Sequence, residues 1–157
     1  MKAASLSELK NELKSLGSAR LLEVCLHLAK YKRENKELLS YLLFEADNEL
    51  AYVRSVKDLI TEQFQDINKS NLYFAKKTIR KILRTTSKYI KYSGSRQTEV
   101  ELLLFFCRML KESDISIQSS TALSNLYARQ IQKIEKALET VHEDLQYDYK
   151  EELHRLK

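Results

Sequence analysis

The sequence contains no proline and only two glycines among its 157 residues. Average usage would supply roughly eight prolines and eleven glycines at this length. Proteins built from β-sheets depend on both residue types at turns, where the backbone needs a fixed or a positive φ. We therefore expect an all-α protein whose helices are joined by short connections.

The sequence also lacks an apolar run long enough to cross a membrane. Its most apolar stretch, residues 100–110, has about half the required length and includes Glu101 and Arg108. The first residues are charged and have no apolar core of the kind that marks a secretory signal. Cys25 and Cys107 are the only cysteines, and each lies in an apolar run that predicts a buried helix face. These features predict a cytoplasmic protein with no disulfide and no membrane partner.

Hydrophobic periodicity divides the chain into about seven helices, which we expect to form one all-helical domain over residues 1–157. The predicted arrangement is a set of antiparallel hairpins, in a helical bundle or in a short superhelical array that resembles an α-solenoid. A break near Asp144 is an alternative within the last helix. The predicted helices span residues 7–16, 19–32, 35–46, 47–68, 70–93, 96–111 and 120–156.

Capping residues indicate where these helices begin and end. Glycine after a helix favours a left-handed residue that stops it, and short polar side chains before a helix accept hydrogen bonds from its first N–H groups. The expected stops are Gly17 and Gly94, and the expected N-caps are Ser7, Asp47, Ser70 or Asn71, and Ser95.

The helix predicted over residues 96–111 is apolar around most of its circumference, which is typical of a central helix. The other helices are predicted to bury one face each. Their expected inward residues are Leu21, Leu22, Cys25, Leu28 and Ala29; Leu38, Leu39, Leu42 and Leu43; and Leu50, Val53, Val56, Leu59 or Ile60, Phe64 and Ile67.

Apolar residues in helix 120–156 recur at steps of four and three. The pattern covers about two and a half heptads, which is short for a coiled coil. It therefore predicts a stripe that faces the core, with a homo-oligomer seam through helix 120–156 as the alternative. The residues are Tyr127, Ile131, Ile134, Leu138, Val141 and Leu145.

Charge is unevenly distributed along the chain, which carries a net +5. Residues 69–111 hold 11 basic and 2 acidic side chains. Residues 1–68 hold 10 basic and 11 acidic side chains, and residues 112–157 hold 6 and 9. The positive excess therefore belongs to helix 70–93 and its surroundings.

Seven cations of helix 70–93 fall on one side of a helical projection, in a sector of about 140°. The apolar residues lie opposite, and no acidic residue within the helix neutralises the cations through i,i+4 pairing. We call this set the basic stripe: Lys76, Lys77, Arg80, Lys81, Arg84, Lys88 and Lys91.

The basic stripe admits several interpretations. It is a solvated face, or it pairs with the acidic C-terminal residues Glu135, Glu139, Glu143, Asp144, Asp148, Glu151 and Glu152. It binds an acidic protein partner, or it contacts the phosphate backbone of a nucleic acid. In the nucleic-acid interpretation, the flanking Tyr73 and Tyr92 would stack on bases.

No catalytic residue, metal ligand or cofactor motif is predicted. The nearest candidate is Glu34 and Glu37 followed by Glu45, Asp47 and Glu49, which is similar to the first carboxylate pair of all-α nucleotide pyrophosphohydrolases. Such a resemblance would imply Mg²⁺ held near a diphosphate. The second pair, Glu-x-x-Asp, has no counterpart in this sequence.

The sequence as a whole favours a non-enzymatic helical interaction or adaptor module that binds an acidic partner through the basic stripe. The first alternative is binding of nucleic acid by the same stripe. The second alternative is a Mg²⁺-dependent pyrophosphohydrolase.

Overall fold

A computed structural model describes all 157 residues and contains eight α-helices and no strand. The predicted all-α class is confirmed. A π-helical turn, Tyr41–Glu45, follows the third helix, and a 3₁₀ turn, Ile117–Ser119, precedes the seventh. The helices are α1 Leu6–Ser15, α2 Ser18–Tyr31, α3 Arg33–Ser40, α4 Glu49–Gln65, α5 Leu72–Ser93, α6 Arg96–Glu112, α7 Thr121–Leu138 and α8 Glu143–Leu156.

The backbone contacts group the chain into two compact units, residues 1–44 and residues 45–157. The N-terminal unit contains α1, α2 and α3, and the C-terminal unit contains α4 to α8. The expectation of one domain over the whole chain stays a prediction.

At α1 the predicted N-cap is wrong, and Gly17 follows the end of the helix as predicted but in a different conformation. Ser5, and not Ser7, is the N-cap, because Ser5 and Glu8 form a reciprocal capping box in which Ser5 Oγ accepts from the Glu8 N–H. Gly17 does not end α1 in a left-handed conformation. Its φ is −68°, and it serves as the N-cap of α2 because the chain leaves α1 in an extended conformation.

The inward faces predicted for α2, α3 and the turn after them are confirmed only in part, because Cys25, Ala29, Leu38 and Leu39 are half-buried and the other predicted residues are exposed. No residue of α2 or α3 is buried. Leu22, Leu28 and Leu43 keep 60%, 55% and 62% of their surface exposed. Helical periodicity finds the apolar face of a short helix, but the N-terminal unit has too few layers to cover that face.

The C-terminal unit is organised around α6, as predicted. Helix α6 packs against α4 and α5 and also against α7 and α8. Its buried residues cover most of the circumference of the helix and include Leu102, Leu103, Leu104 and Phe106. Packing chiefly joins helices that are one or two places apart along the chain, which both a small bundle and a short array allow.

Helix α4 supplies one side of this core. Val56, Ile60 and Phe64 are buried, and the Phe64 ring lies 5.7 Å from the Phe106 ring of α6. The N-cap is Asn48, and not Asp47, because Asn48 Oδ1 accepts from the Ala51 N–H at 3.1 Å. Leu50, predicted to point inward, is 77% exposed because it lies in the first turn, beyond the core.

The region predicted as helix 120–156 consists of two helices, since α7 ends at Leu138 and α8 begins at Glu143. His142 is the N-cap of α8, so the break lies just before the position considered in the sequence. Ile134 and Leu138 are buried in the core, as is Val141 between the helices. Three of the six residues of the predicted stripe are therefore buried inside the chain, and Tyr127, Ile131 and Leu145 are half-buried.

Replacing the central Phe106 by alanine tests this core. We expect Phe106→Ala to lower the free energy of unfolding by about 3–5 kcal/mol, because the side chain is fully buried and leaves a cavity. The measurement is chemical denaturation followed by circular dichroism. The control is Phe74→Ala, at a residue that is 51% exposed, with an expected loss below about 1 kcal/mol. Equal losses in the two variants would contradict this description of the core.

Candidate binding surface

Helix α5 carries the basic stripe, and both of its ends are fixed as predicted. Asn71 Oδ1 accepts hydrogen bonds from the N–H groups of Tyr73 and Phe74 at 3.0 and 3.3 Å. Gly94 ends the helix with a φ of +67°, and its N–H donates to Ile90 O at 2.9 Å. The 22 residues between these caps form a rod of about 33 Å.

One side of α5 is committed to the core. Ala75, Ile79, Ile82 and Thr86 are buried, and α5 packs against α4 and α6. The Thr86 hydroxyl, fully buried, donates to Ile82 O at 2.9 Å and so is satisfied within the helix. This face fixes the rotation of α5, and the opposite sector must face outward.

The basic stripe occupies that outward sector. Lys77, Arg80, Lys81, Arg84 and Lys91 are exposed, while Lys76 and Lys88 are half-exposed. Apart from Lys88, whose Nζ lies 5.0 Å from the Tyr89 ring centroid, none of these cations has an ion-pair partner. The predicted orientation of the stripe therefore matches its position in the structure.

The acidic C-terminal residues do not neutralise the stripe. Glu135 pairs with Lys157 at 2.6 Å, and Glu151 pairs with Arg155 at 2.6 Å. Asp144 lies 3.4 Å from His142 within its own turn. The structure therefore matches the interpretation in which the stripe is a solvated face, and not the one in which the stripe pairs with the acidic C-terminal residues.

Helix α8 is held against α6, away from the stripe, by polar contacts. Arg108 Nη1 lies 3.2 Å from Glu152, and Lys111 Nζ donates to Arg155 O at 2.8 Å. The Tyr149 hydroxyl donates to Glu101 at 2.7 Å. Among the α8 carboxylates, Glu152 is thus engaged beside α6.

Glu101 is the centre of a partly buried network that joins α4, α6 and α8. Besides Tyr149, its carboxylate accepts hydrogen bonds from Lys57 and Gln97, both at 3.1 Å. Burial raises the pKa of Glu101, but the bonds from Tyr149, Gln97 and Lys57 outweigh burial and lower that pKa below its usual range. Burial and the Glu101 carboxylate together raise the pKa of Tyr149. The network therefore links these three helices to one another.

Exposed aromatic residues lie at the beginning of α5. Tyr73 is 68% exposed, and its ring meets the ring of Phe74 at 5.4 Å and 77°. Tyr92, the other predicted flanking aromatic, is half-buried and contacts the Tyr89 ring at 5.8 Å. Phe74 was not predicted, although the helical projection places it only about 20° from Lys81.

The carboxylates of the pyrophosphohydrolase hypothesis do not form a metal centre. Glu34 and Asp47 are exposed, and Glu37 lies 2.9 Å from Arg33 in an ion pair. No group of three or more histidine, cysteine, aspartate or glutamate side chains is arranged to hold a metal ion. Burial raises the pKa of the Cys107 thiol to about 12, so it is not a nucleophile near neutral pH.

The fold and this surface define an all-α protein with a one-sided cationic helix. The chain matches no protein-family model, and no significant match to it was found among curated proteins or solved structures. None of its helices combines the length and the apolar character that a membrane crossing requires.

Replacing Glu101 by glutamine tests the polar network. We expect Glu101→Gln to lower the free energy of unfolding by about 1–3 kcal/mol at neutral pH, because hydrogen bonds to a charged acceptor are lost. The folded pKa is depressed, so this contribution is present above the usual glutamate pKa of about 4.3 and is lost as the pH falls through the folded value.

The measurement is denaturant unfolding of wild type and variant between about pH 7 and about pH 3. The difference between them should shrink as the pH falls. Glu112→Gln, at an exposed carboxylate of the same helix, is the control and should show no such difference. A Glu101→Gln deficit that is independent of pH would contradict the assignment.

Proposed function

We propose that this protein is a non-enzymatic interaction module that binds an acidic protein partner through the basic stripe of α5. The observation that supports the proposal is the set of outward cations without ion-pair partners: Lys76, Lys77, Arg80, Lys81, Arg84 and Lys91. Like charges at i,i+4 spacing cost a few tenths of a kcal/mol per pair. A bound polyanion would offset that cost.

The geometry of α5 supports an extended partner. The stripe runs along a rod of about 33 Å whose opposite face is held in the core, so it is preorganised before binding. Cations held on one straight face suit a partner that presents carboxylates along its length. We also propose a cytoplasmic location, since both cysteines are unpaired thiols, as is usual in a reducing compartment.

Binding of nucleic acid by the same stripe is the competing hypothesis. The exposed ring of Tyr73 is the observation in its favour, because aromatic side chains beside cations stack on unpaired bases. The two hypotheses differ in the polymer that is preferred, so one set of binding measurements separates them.

Charge reversal on the stripe tests the proposed function. We expect Lys77→Glu/Arg84→Glu to weaken binding of fluorescent poly-L-glutamate at least about tenfold, because two attractive contacts become repulsive. Affinity of the wild type should fall steeply between low and moderate salt. Fluorescence anisotropy measures both effects.

The matched control is Lys133→Glu/Lys136→Glu on α7, which makes the same change in net charge at two exposed lysines outside the stripe. Its affinity should stay close to that of the wild type. Equal loss in the two double variants, or no loss in the stripe variant, would overturn the proposal. If the protein binds a 20-nucleotide single strand more tightly than poly-L-glutamate, the proposed partner becomes a nucleic acid and not an acidic protein.

A further inference from the structure

Helix α8 contributes little apolar surface to the core of the C-terminal unit. Its only buried residues are Leu153 and Leu156, among 14. Helix α7, with 18 residues, buries five. Residues 143–152 of α8 therefore include no buried side chain. An element with few buried apolar contacts opens at a lower free energy than the core of the same protein.

Two open clefts border α8. The cleft between α6 and α8 has a volume of about 590 Å³, and every residue that lines it except Leu156 is charged. The cleft between α7 and α8 has a volume of about 380 Å³, and only Leu138 and Leu153 among its lining residues are apolar. All of the lining residues belong to the C-terminal unit. Polar clefts therefore run along both of the contacts that hold α8.

Polar contacts supply much of the attachment of α8. Its Glu152 pairs with Arg108 of α6, and Lys157, which follows α8, pairs with Glu135 of α7. These four side chains keep between 35% and 51% of their surface exposed. Ion pairs that are open to solvent add little to stability, because water competes for both charges. The buried apolar attachment of α8 is therefore confined to its last turn.

The connection before α8 combines an anchor with a hinge. Val141 is buried and holds the end of this connection in the core. The next residue, His142, is exposed and not helical, with a φ of −56° and a ψ of 140°. Helix α8 has 14 residues, a length at which an isolated helix is only marginal in water. Without α6 and α7, α8 would therefore lose its own helical hydrogen bonds.

We propose that α8 is a detachable strap, which leaves α6 and α7 and unfolds as a unit while α4 to α7 stay folded. Detachment breaks the bonds of α8 to Glu101, Arg108 and Lys111 of α6, and it uncovers the side of α6 and α7 that α8 occupies. The core survives because α6 keeps its packing against α4, α5 and α7. This device goes beyond the proposed function, because the basic stripe has no part in it.

Amide hydrogen exchange of the full chain, followed by mass spectrometry, tests the proposal. In the wild type, α8 amides should exchange at least about 100-fold faster than α6 amides, because release of the strap needs less free energy than global unfolding. Ile79→Ala, at a fully buried residue of α5, should speed exchange in α6 at least about 30-fold and leave α8 unchanged. Ile79→Val should show the same contrast at about two- to tenfold if the alanine variant does not fold. Equal acceleration of α6 and α8 would overturn the proposal.

The matched substitution on α8 is Leu153→Ala, which removes one of its two buried side chains. Exchange of the α8 amides should approach the rate of an unstructured peptide, while α4, α5 and α6 stay protected. Binding of poly-L-glutamate should equal that of the wild type, so a failure of the strap can be distinguished from a failure of the proposed function. Loss of protection from all these helices together, or an α8 that stays as protected as α6, would contradict the proposal.

Discussion

Burial of α6 around most of its circumference is the constraint on which the C-terminal unit depends. A helix that is apolar around most of its circumference needs neighbours on several sides, and α4, α5, α7 and α8 supply them. Each neighbour must therefore turn its own apolar face towards α6. For α5, the consequence is that the whole cationic sector points away from the core.

The same constraint separates the positive and negative charges of the chain. Helix α8 packs against α6 and α7, where its Glu152 pairs with Arg108, its Arg155 carbonyl accepts from Lys111 and its Tyr149 hydroxyl donates to Glu101. The stripe is left with repulsion between its own members, which salt screens only in part. This uncompensated charge is the observation that supports the proposed binding role. A solvated face without a ligand would keep the repulsion and gain nothing.

Sequence periodicity predicts a helix well where successive turns of that helix lie in the same environment. The caps Asn71 and Gly94, the inward face of α5 and the central place of α6 follow from local patterns alone. Prediction fails where burial depends on which neighbour is present. Leu22 and Leu50 satisfy a helical pattern, yet they are 60% and 77% exposed.

The candidate binding surface, too, could be predicted from the sequence only in part. Its cations and their orientation could be read from a helical projection, because both depend only on residue spacing. The partners of the C-terminal carboxylates could not be read in this way, because they depend on where α8 packs. Glu152, for example, pairs with Arg108, which lies far away along the chain. Phe74 was overlooked because an aromatic residue near a helix start resembles a core residue in sequence. Its exposure follows from the missing cover beside the first turn of α5.

The stability of a charge-neutral stripe variant tests the central claim most directly. The measurement is the free energy of unfolding of Lys77→Gln/Arg84→Gln and of the wild type at low ionic strength. If the two cations face solvent without partners, the variant should be as stable as the wild type or more stable by a few tenths of a kcal/mol, because repulsion is removed. A loss of about 1 kcal/mol or more would show that carboxylates stabilise the stripe, and it would contradict the account.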